Sequence, residues 1–247
     1  MSQQPRVPSS FPGVALSDDV APAEWLRVAL RPWTEGGGID HVATLVPAAY
    51  PAHARILHRG GTQSVDLRWA DIAARTGKQL DAETTYQELI DWNPLARPHQ
   101  PPDPWIEPER GSLRPDECAA VAEVLARHTA SPDVCWFCIW EGYGSAWTVL
   151  NRLSEHAHRV VLEHRNCLLF RGPVSAATAF RSEPWFQSPT LWWPQDRAWV
   201  VASELDIYST YVAASPDAVR ALIDHPGLEV VACTPEQDID QGPYAGT

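Results

Sequence analysis

Residues 188–215 constrain this chain more than any other stretch. Trp192 and Trp193 precede a mostly apolar run of strand length at 198–205, which itself contains Trp199, and Ser215-Pro216-Asp217 is a strong helix start. Pro226-Gly227 stops that helix near Asp224. A fold for this chain must therefore bury the strand and pack the helix close behind it. Pro189 and Pro194 bracket the Trp192-Trp193 pair, so the segment before the strand reads as a loop exposing two aromatic rings.

The surrounding second half follows the same grammar. Residues 112–129 form the strongest helix pattern: Pro115 suits the first turn, Asp116 and Glu117 favour its positive end, and Cys118, Val121, Ala122 and Leu125 line one stripe. Residues 134–140 are uniformly apolar and aromatic, the signature of a strand buried on both faces. Gly142-Tyr143-Gly144 marks a turn, residues 159–163 and 167–171 read as a hairpin around His164-Arg-Asn166, and Pro173 opens a short helix. Residues 228–233 supply a last strand. The predicted class is α+β, a mostly antiparallel sheet with helices packed on it.

The first half reads differently. Residues 1–20 look like a flexible lead-in, and 21–33 fit either a helix or a strand. Residues 39–58 look like a loop and a helix, with Arg55, His58 and Arg59 at its negative end. Asp66 caps a short helix carrying Trp69, Ile72 and Ala73 and ended by Gly77, and residues 83–92 form another. The expected organisation is a helix-rich subregion at 21–92, a Pro-rich connection at 93–111, a sheet subregion at 112–235 and a tail at 236–247. Residues 21–235 form one compact unit in this reading.

Composition narrows the function classes. No apolar run approaches the ~20 residues that span a bilayer, and residues 1–10 lack the apolar core of a secretory signal, so the expectation is a soluble cytoplasmic protein with no membrane partner. The net charge is −12, the arginines are scattered and Lys78 is the only lysine, which argues against nucleic acid as a partner. Five cysteines in a chain of 247 residues show no disulfide framework. The 12 tryptophans fit a core or an aromatic-lined pocket, and the core is the favoured reading.

No motif names a chemistry. Cys135-Trp-Phe-Cys138 has redox or half-zinc spacing, but in a strand residues three apart face opposite ways, so both read as buried structural cysteines. His156 and His158, with Glu155, Glu163 and His164 nearby, have no diagnostic spacing, and no metal is assigned. Gly36-Gly37-Gly38 and Gly142-x-Gly144 lack the residues of phosphate loops, and no cofactor is implied. If the strand continued to residue 207, Glu204 and Asp206 would share a face with Cα atoms about 6.5–7 Å apart, a spacing that suits an acid and base and equally a solvated strand end. Asp196 and Arg197 either orient a polar ligand or close their loop with a salt bridge.

Several strings resemble one family: Ala54-Arg-Ile-Leu-His58, Trp69-Ala-Asp-Ile-Ala73, Cys135-Trp-Phe-Cys-Ile-Trp-Glu-Gly-Tyr-Gly144, Leu168-Leu-Phe-Arg-Gly-Pro173, Ser188-Pro-Thr-Leu-Trp-Trp-Pro-Gln-Asp-Arg-Ala-Trp199 and Ser209-Thr-Tyr-Val212. They are similar to cytoplasmic proteins of high-GC actinobacteria to which no activity is assigned. The resemblance covers roughly residues 40–235 and implies compartment and a single unit, with no chemistry.

The sequence therefore leads to a binding or interaction module that holds a partner protein or small ligand with Trp192, Trp193, Asp196 and Arg197. The acidic charge suits a basic protein target. The alternative is an enzyme of unstated reaction using Glu204 and Asp206. Oligomeric state is left open.

Overall fold

Strand pairing dominates the computed structural model, which describes residues 11–33, 41–93, 96, 101–143, 148–155, 157–162, 165–182 and 185–239. In chain order the strands are β1 (Ala15–Leu16), β2 (Ala52–Leu57), β3 (Gly60–Thr62), β4 (Val65–Leu67), β5 (Trp105–Ile106), β6 (Cys135–Trp140), β7 (Arg159–Leu162), β8 (Arg165–Gly172), β9 (Arg181–Ser182), β10 (Trp185–Phe186), β11 (Leu191–Pro194), β12 (Val200–Ser203), β13 (Ser209–Ala214) and β14 (Val230–Cys233). The helices are α1 (Leu26–Ala29), α2 (Trp69–Thr76), α3 (Tyr86–Leu89), α4 (Pro115–Ala126), α5 (Thr148–Ser154) and α6 (Pro216–Ile223).

A nine-stranded sheet runs β1-β8-β6-β11-β12-β13-β2-β14, with β7 also on β8, and every pairing is antiparallel. Strand alternation splits its side chains between two cores. On one face Phe137, Ile139, Phe170, Trp192, Val201 and Val212 pack with α4 and α6 residues such as Val121, Leu125 and Leu222. On the other, Cys138, Leu169, Leu191, Trp193, Val200 and Ala202 meet Leu26, Val42 and Leu45 of the N-terminal segment. A smaller core gathers Trp69, Tyr86, Leu89 and Tyr208 beside the end of β2. The α+β class and the mostly antiparallel sheet are thus present.

The strong local signals hold. Helix α4 starts with Pro115 in its first turn, and α6 is capped by the Ser215 hydroxyl, which accepts from the Ala218 N–H at 3.2 Å. Gly77 ends α2 in the left-handed conformation (φ 73°), where a glycine carries no Cβ penalty. Within residues 21–33 the helical alternative prevails, as a 3₁₀ turn (Ala21–Ala23) and the short α1.

The first half is not helix-rich. Residues 52–57, expected as a helix, form β2 in the interior of the sheet, between β13 and β14. Of the residues that looked like a helix terminus, Arg55 and His58 are buried, and Arg59, partly exposed, donates to the Gly227 carbonyl at 3.0 Å. Arg55 Nε donates to Ser209 Oγ at 2.9 Å and its Nη1 to the carbonyls of Ala82 and Thr84, while His53 Nε2 lies 3.0 Å from the Pro47 carbonyl. Two neighbouring strands and a buried polar set outweigh a helical preference of a few tenths of a kcal/mol per residue. The sheet therefore does not stop at residue 112. Asp66 lies in β4 and pairs with Arg114; the N-terminus of α2 is met by the distant Glu229 carboxylate, which accepts from the N–H groups of Trp69 (2.6 Å) and Ala70 (2.8 Å). The supposed lead-in is packed from residue 11: Phe11 is buried in edge contact with Phe170 and Phe180, and β1 joins β8. Ile239 of the tail is also buried.

Two buried titratable groups flank the end of β2. Burial pulls the His58 imidazole down to about 4, against the Glu109 carbonyl at 2.8 Å. Burial pushes the Glu117 carboxyl up to about 7, against the Arg114 N–H and the Arg59 guanidinium at 3.2 Å. Their linkages oppose. Unfolded His58 takes a proton below 6.5 that the folded protein refuses until about 4, so its contribution is lost as pH falls through that window. Folded Glu117 keeps a proton that the unfolded chain releases above 4.5, so its contribution is lost as pH rises from 4.5 to 7. Glu117→Gln removes the second effect. Its stability relative to wild type should rise by about 2–3 kcal/mol across pH 4.5–7 in urea titrations. A difference that stays constant with pH would contradict the burial argument.

Candidate functional site

Trp192 and Trp193 are not a surface loop. They lie in β11, between β6 and β12, and are 0 % and 1 % exposed. Being adjacent in a strand, they also point to opposite faces. Trp192 stacks on Phe137 (centroids 6.1 Å) and meets the edge of Trp199 (5.2 Å); Trp193 meets Trp25 (6.2 Å). The flanking prolines, read as loop signals, leave the ladder intact because Pro194 is the last residue of its strand.

Asp196 and Arg197 form the β11–β12 turn, and each is occupied. Burial acts to raise the Asp196 carboxyl, but hydrogen bonds from the Thr129 hydroxyl (2.7 Å) and the Ala130 N–H (2.7 Å) hold it below the usual carboxylate range. Arg197 adopts φ 55°, lays its guanidinium 4.7 Å from the Trp25 ring centroid, and accepts the Tyr50 hydroxyl at its carbonyl (2.6 Å). Among the described residues no salt bridge joins the two; each is held by these other contacts.

Glu204 and Asp206 do not share a face. The strand ends at Ser203, and a turn places Asp206 in solvent while Glu204 is 3 % exposed. Glu204 is paired with Arg165: its Oε2 accepts Arg165 Nε at 3.1 Å, and its Oε1 accepts Arg165 Nη2 and the Leu205 N–H (2.8 Å). The guanidinium lies 4.8 Å from the Trp140 ring centroid and 5.3 Å from that of Trp33, so it has aromatic contacts as well as its carboxylate.

That ion pair lies in the wall of a cleft of about 470 Å³. One side is the N-terminal segment, with Leu26, Leu30, Trp33 and Leu45; the other is the sheet, with Leu162, Cys167, Leu191 and Ala202. The segment ends up there because α1 is too short to fold alone and buries Leu26 against the sheet, while the Arg31 N–H bonds the Ala43 carbonyl at 2.8 Å. Arg27 and Arg31 are exposed at the margin. The volume falls in the range of small-molecule sites, and mixed apolar, aromatic and cationic walls can hold an organic ligand.

Sequence reasoning reached Glu204 but missed Arg165, which it left in a hairpin turn. Extending that strand back two residues from Cys167 puts Arg165 on the Cys167–Leu169 face, the only local sign available. Cys135 and Cys138 do face opposite cores and are buried free thiols, and burial pushes both well above the ordinary thiol range. His156, Glu163, His164, Gly144 and Gly36-Gly37-Gly38 lie outside the described residues. Among the described residues no group of three or more His, Cys, Asp or Glu could hold a metal ion, and no helix is long and apolar enough to cross a membrane.

An α+β sheet with an amphipathic cleft beside an N-terminal strap is the class that fold and geometry define. No family model, no curated protein and no solved structure matches the chain.

Proposed function

We propose that the protein is a binding module whose site is the cleft between residues 26–33 and the sheet, and that its ligand is a small organic molecule. The observation that carries this reading is the cleft itself: apolar walls enclose about 470 Å³ beside a buried, aromatic-flanked Arg165–Glu204 pair. Small-molecule sites combine such apolar walls with a few fixed polar groups, and Arg165 is fixed by its carboxylate and its rings. The tryptophans support the site from behind. Trp193 and Trp25 brace the core beneath the strap, so the aromatic richness serves the pocket as scaffold.

Blocking the cleft tests this. Val161 is 52 % exposed and lines it, and Leu30 is half-buried on the opposite wall. Val161→Trp and Leu30→Trp should each leave the folded state intact and weaken binding of the neutral dye Nile red at least about tenfold, the loss of roughly 1.4 kcal/mol. Dye fluorescence titration reads the affinity. Unchanged affinity in both variants would remove the cleft as the site.

A further inference from the structure

We infer that the ligand of this cleft is a small amphiphilic anion, a carboxylate or phosphate head on an apolar body; the inference rests on the cleft being the binding site. Its basis is which polar groups along the wall are already engaged. Both Glu204 oxygens accept from Arg165, and one also accepts the Leu205 N–H. The Thr44 hydroxyl donates to the His41 carbonyl at 2.6 Å, that of Ser203 is paired with Thr210 at 2.7 Å, and that of Thr190 takes the Trp140 N–H at 3.2 Å. The charged groups left without a partner are donors. Among the described residues no hydrogen bond or ion pair holds the side chains of Arg27 or Arg31, and Arg165 Nη1 has no acceptor.

The described lining therefore carries three arginines against one carboxylate, in a chain whose net charge is −12. A cationic ligand would find its one counter-charge already taken by Arg165. A neutral ligand would gain from the apolar wall and from single hydrogen bonds to these donors, without the attraction between opposite charges. An anion gains from both, because guanidinium groups match carboxylate and phosphate oxygens in paired hydrogen bonds. The apolar body follows from Leu26, Leu30, Leu45, Leu162 and Leu191, whose side chains give the cleft its greasy length.

The test is displacement of Nile red from the full chain by three ligands of one chain length: decanoate, decyl phosphate and decan-1-ol. Either anion should compete at least about tenfold better than the alcohol, the effect of one or more charge-assisted hydrogen bonds. Whichever anion is tighter identifies the head. The Arg27→Gln/Arg31→Gln double variant should lose most of that preference while still binding the dye, and added salt should erode it in wild type, since the rim is exposed. Arg165 is left intact because its loss would strand Glu204. Arg220→Gln, on α6 at the opposite face, should keep the full preference. Equal competition by the alcohol, with dye binding unchanged, would overturn the anion inference and leave the cleft reading standing. Failure of dye, alcohol and anions alike to bind would remove both.

Discussion

Glu204→Ala should destabilise the fold by about 3–5 kcal/mol, the effect of breaking a buried ion pair by deleting one partner. Glu204 is buried and Arg165 mostly so, 3 % and 16 % exposed at the side chain. Removing the carboxylate leaves a guanidinium between Trp33 and Trp140 without its counter-charge, and leaves the Leu205 N–H without its acceptor. Asp206→Ala should change stability by less than about 0.5 kcal/mol, as surface substitutions do. The double variant Glu204→Ala/Arg165→Leu should recover part of the loss, because no uncompensated charge remains. Urea midpoints at constant m-value read all three. Similar losses for Glu204→Ala and Asp206→Ala would show that the two carboxylates act together after all.

Trp192→Ala should cost about 3–5 kcal/mol, the range for truncating a large aromatic in a core. Trp185→Ala, at a residue 58 % exposed, should cost well under that. A finer contrast separates packing from hydrogen bonding. Trp199 Nε1 donates to the Leu125 carbonyl at 3.0 Å, whereas Trp192 Nε1 is buried and meets no acceptor among the described residues. Replacing each by phenylalanine removes similar ring volume, so Trp199→Phe should cost about 1 kcal/mol more than Trp192→Phe. Thermal and urea unfolding give the comparison, and the reverse order would place a partner on Trp192. Because Trp192 is core, its alanine variant reports on the fold and cannot report on binding.

Local patterns were legible where an element carries its own punctuation. The Pro115 start of α4, the Ser215-Pro216-Asp217 cap of α6 and the buried run of β6 were all readable, because caps and uninterrupted apolar runs act within a few residues. β2 was not readable. Ala52-His-Ala-Arg-Ile-Leu57 alternates weakly, and its polar residues look solvated until β13 and β14 close over them. β11 was hidden by prolines that mark loops in most settings. The candidate site was legible only in its polar members. Glu204 stood out as an acid at a strand end, but its partner is 39 residues earlier, and the strap that completes the cleft lies more than a hundred residues away from both.

By itself, then, the sequence determined the class, the capped helices and the opposite-facing cysteines, since periodicity and capping are local properties of the backbone. Only the tertiary structure decided which side chains are buried and with whom. It split Trp192 from Trp193 between two cores, drew Arg165 onto Glu204, and separated Asp206 from the pair. The physical reason is that burial and charge pairing depend on neighbours brought together across the chain, and local spacing carries no record of which neighbours those are.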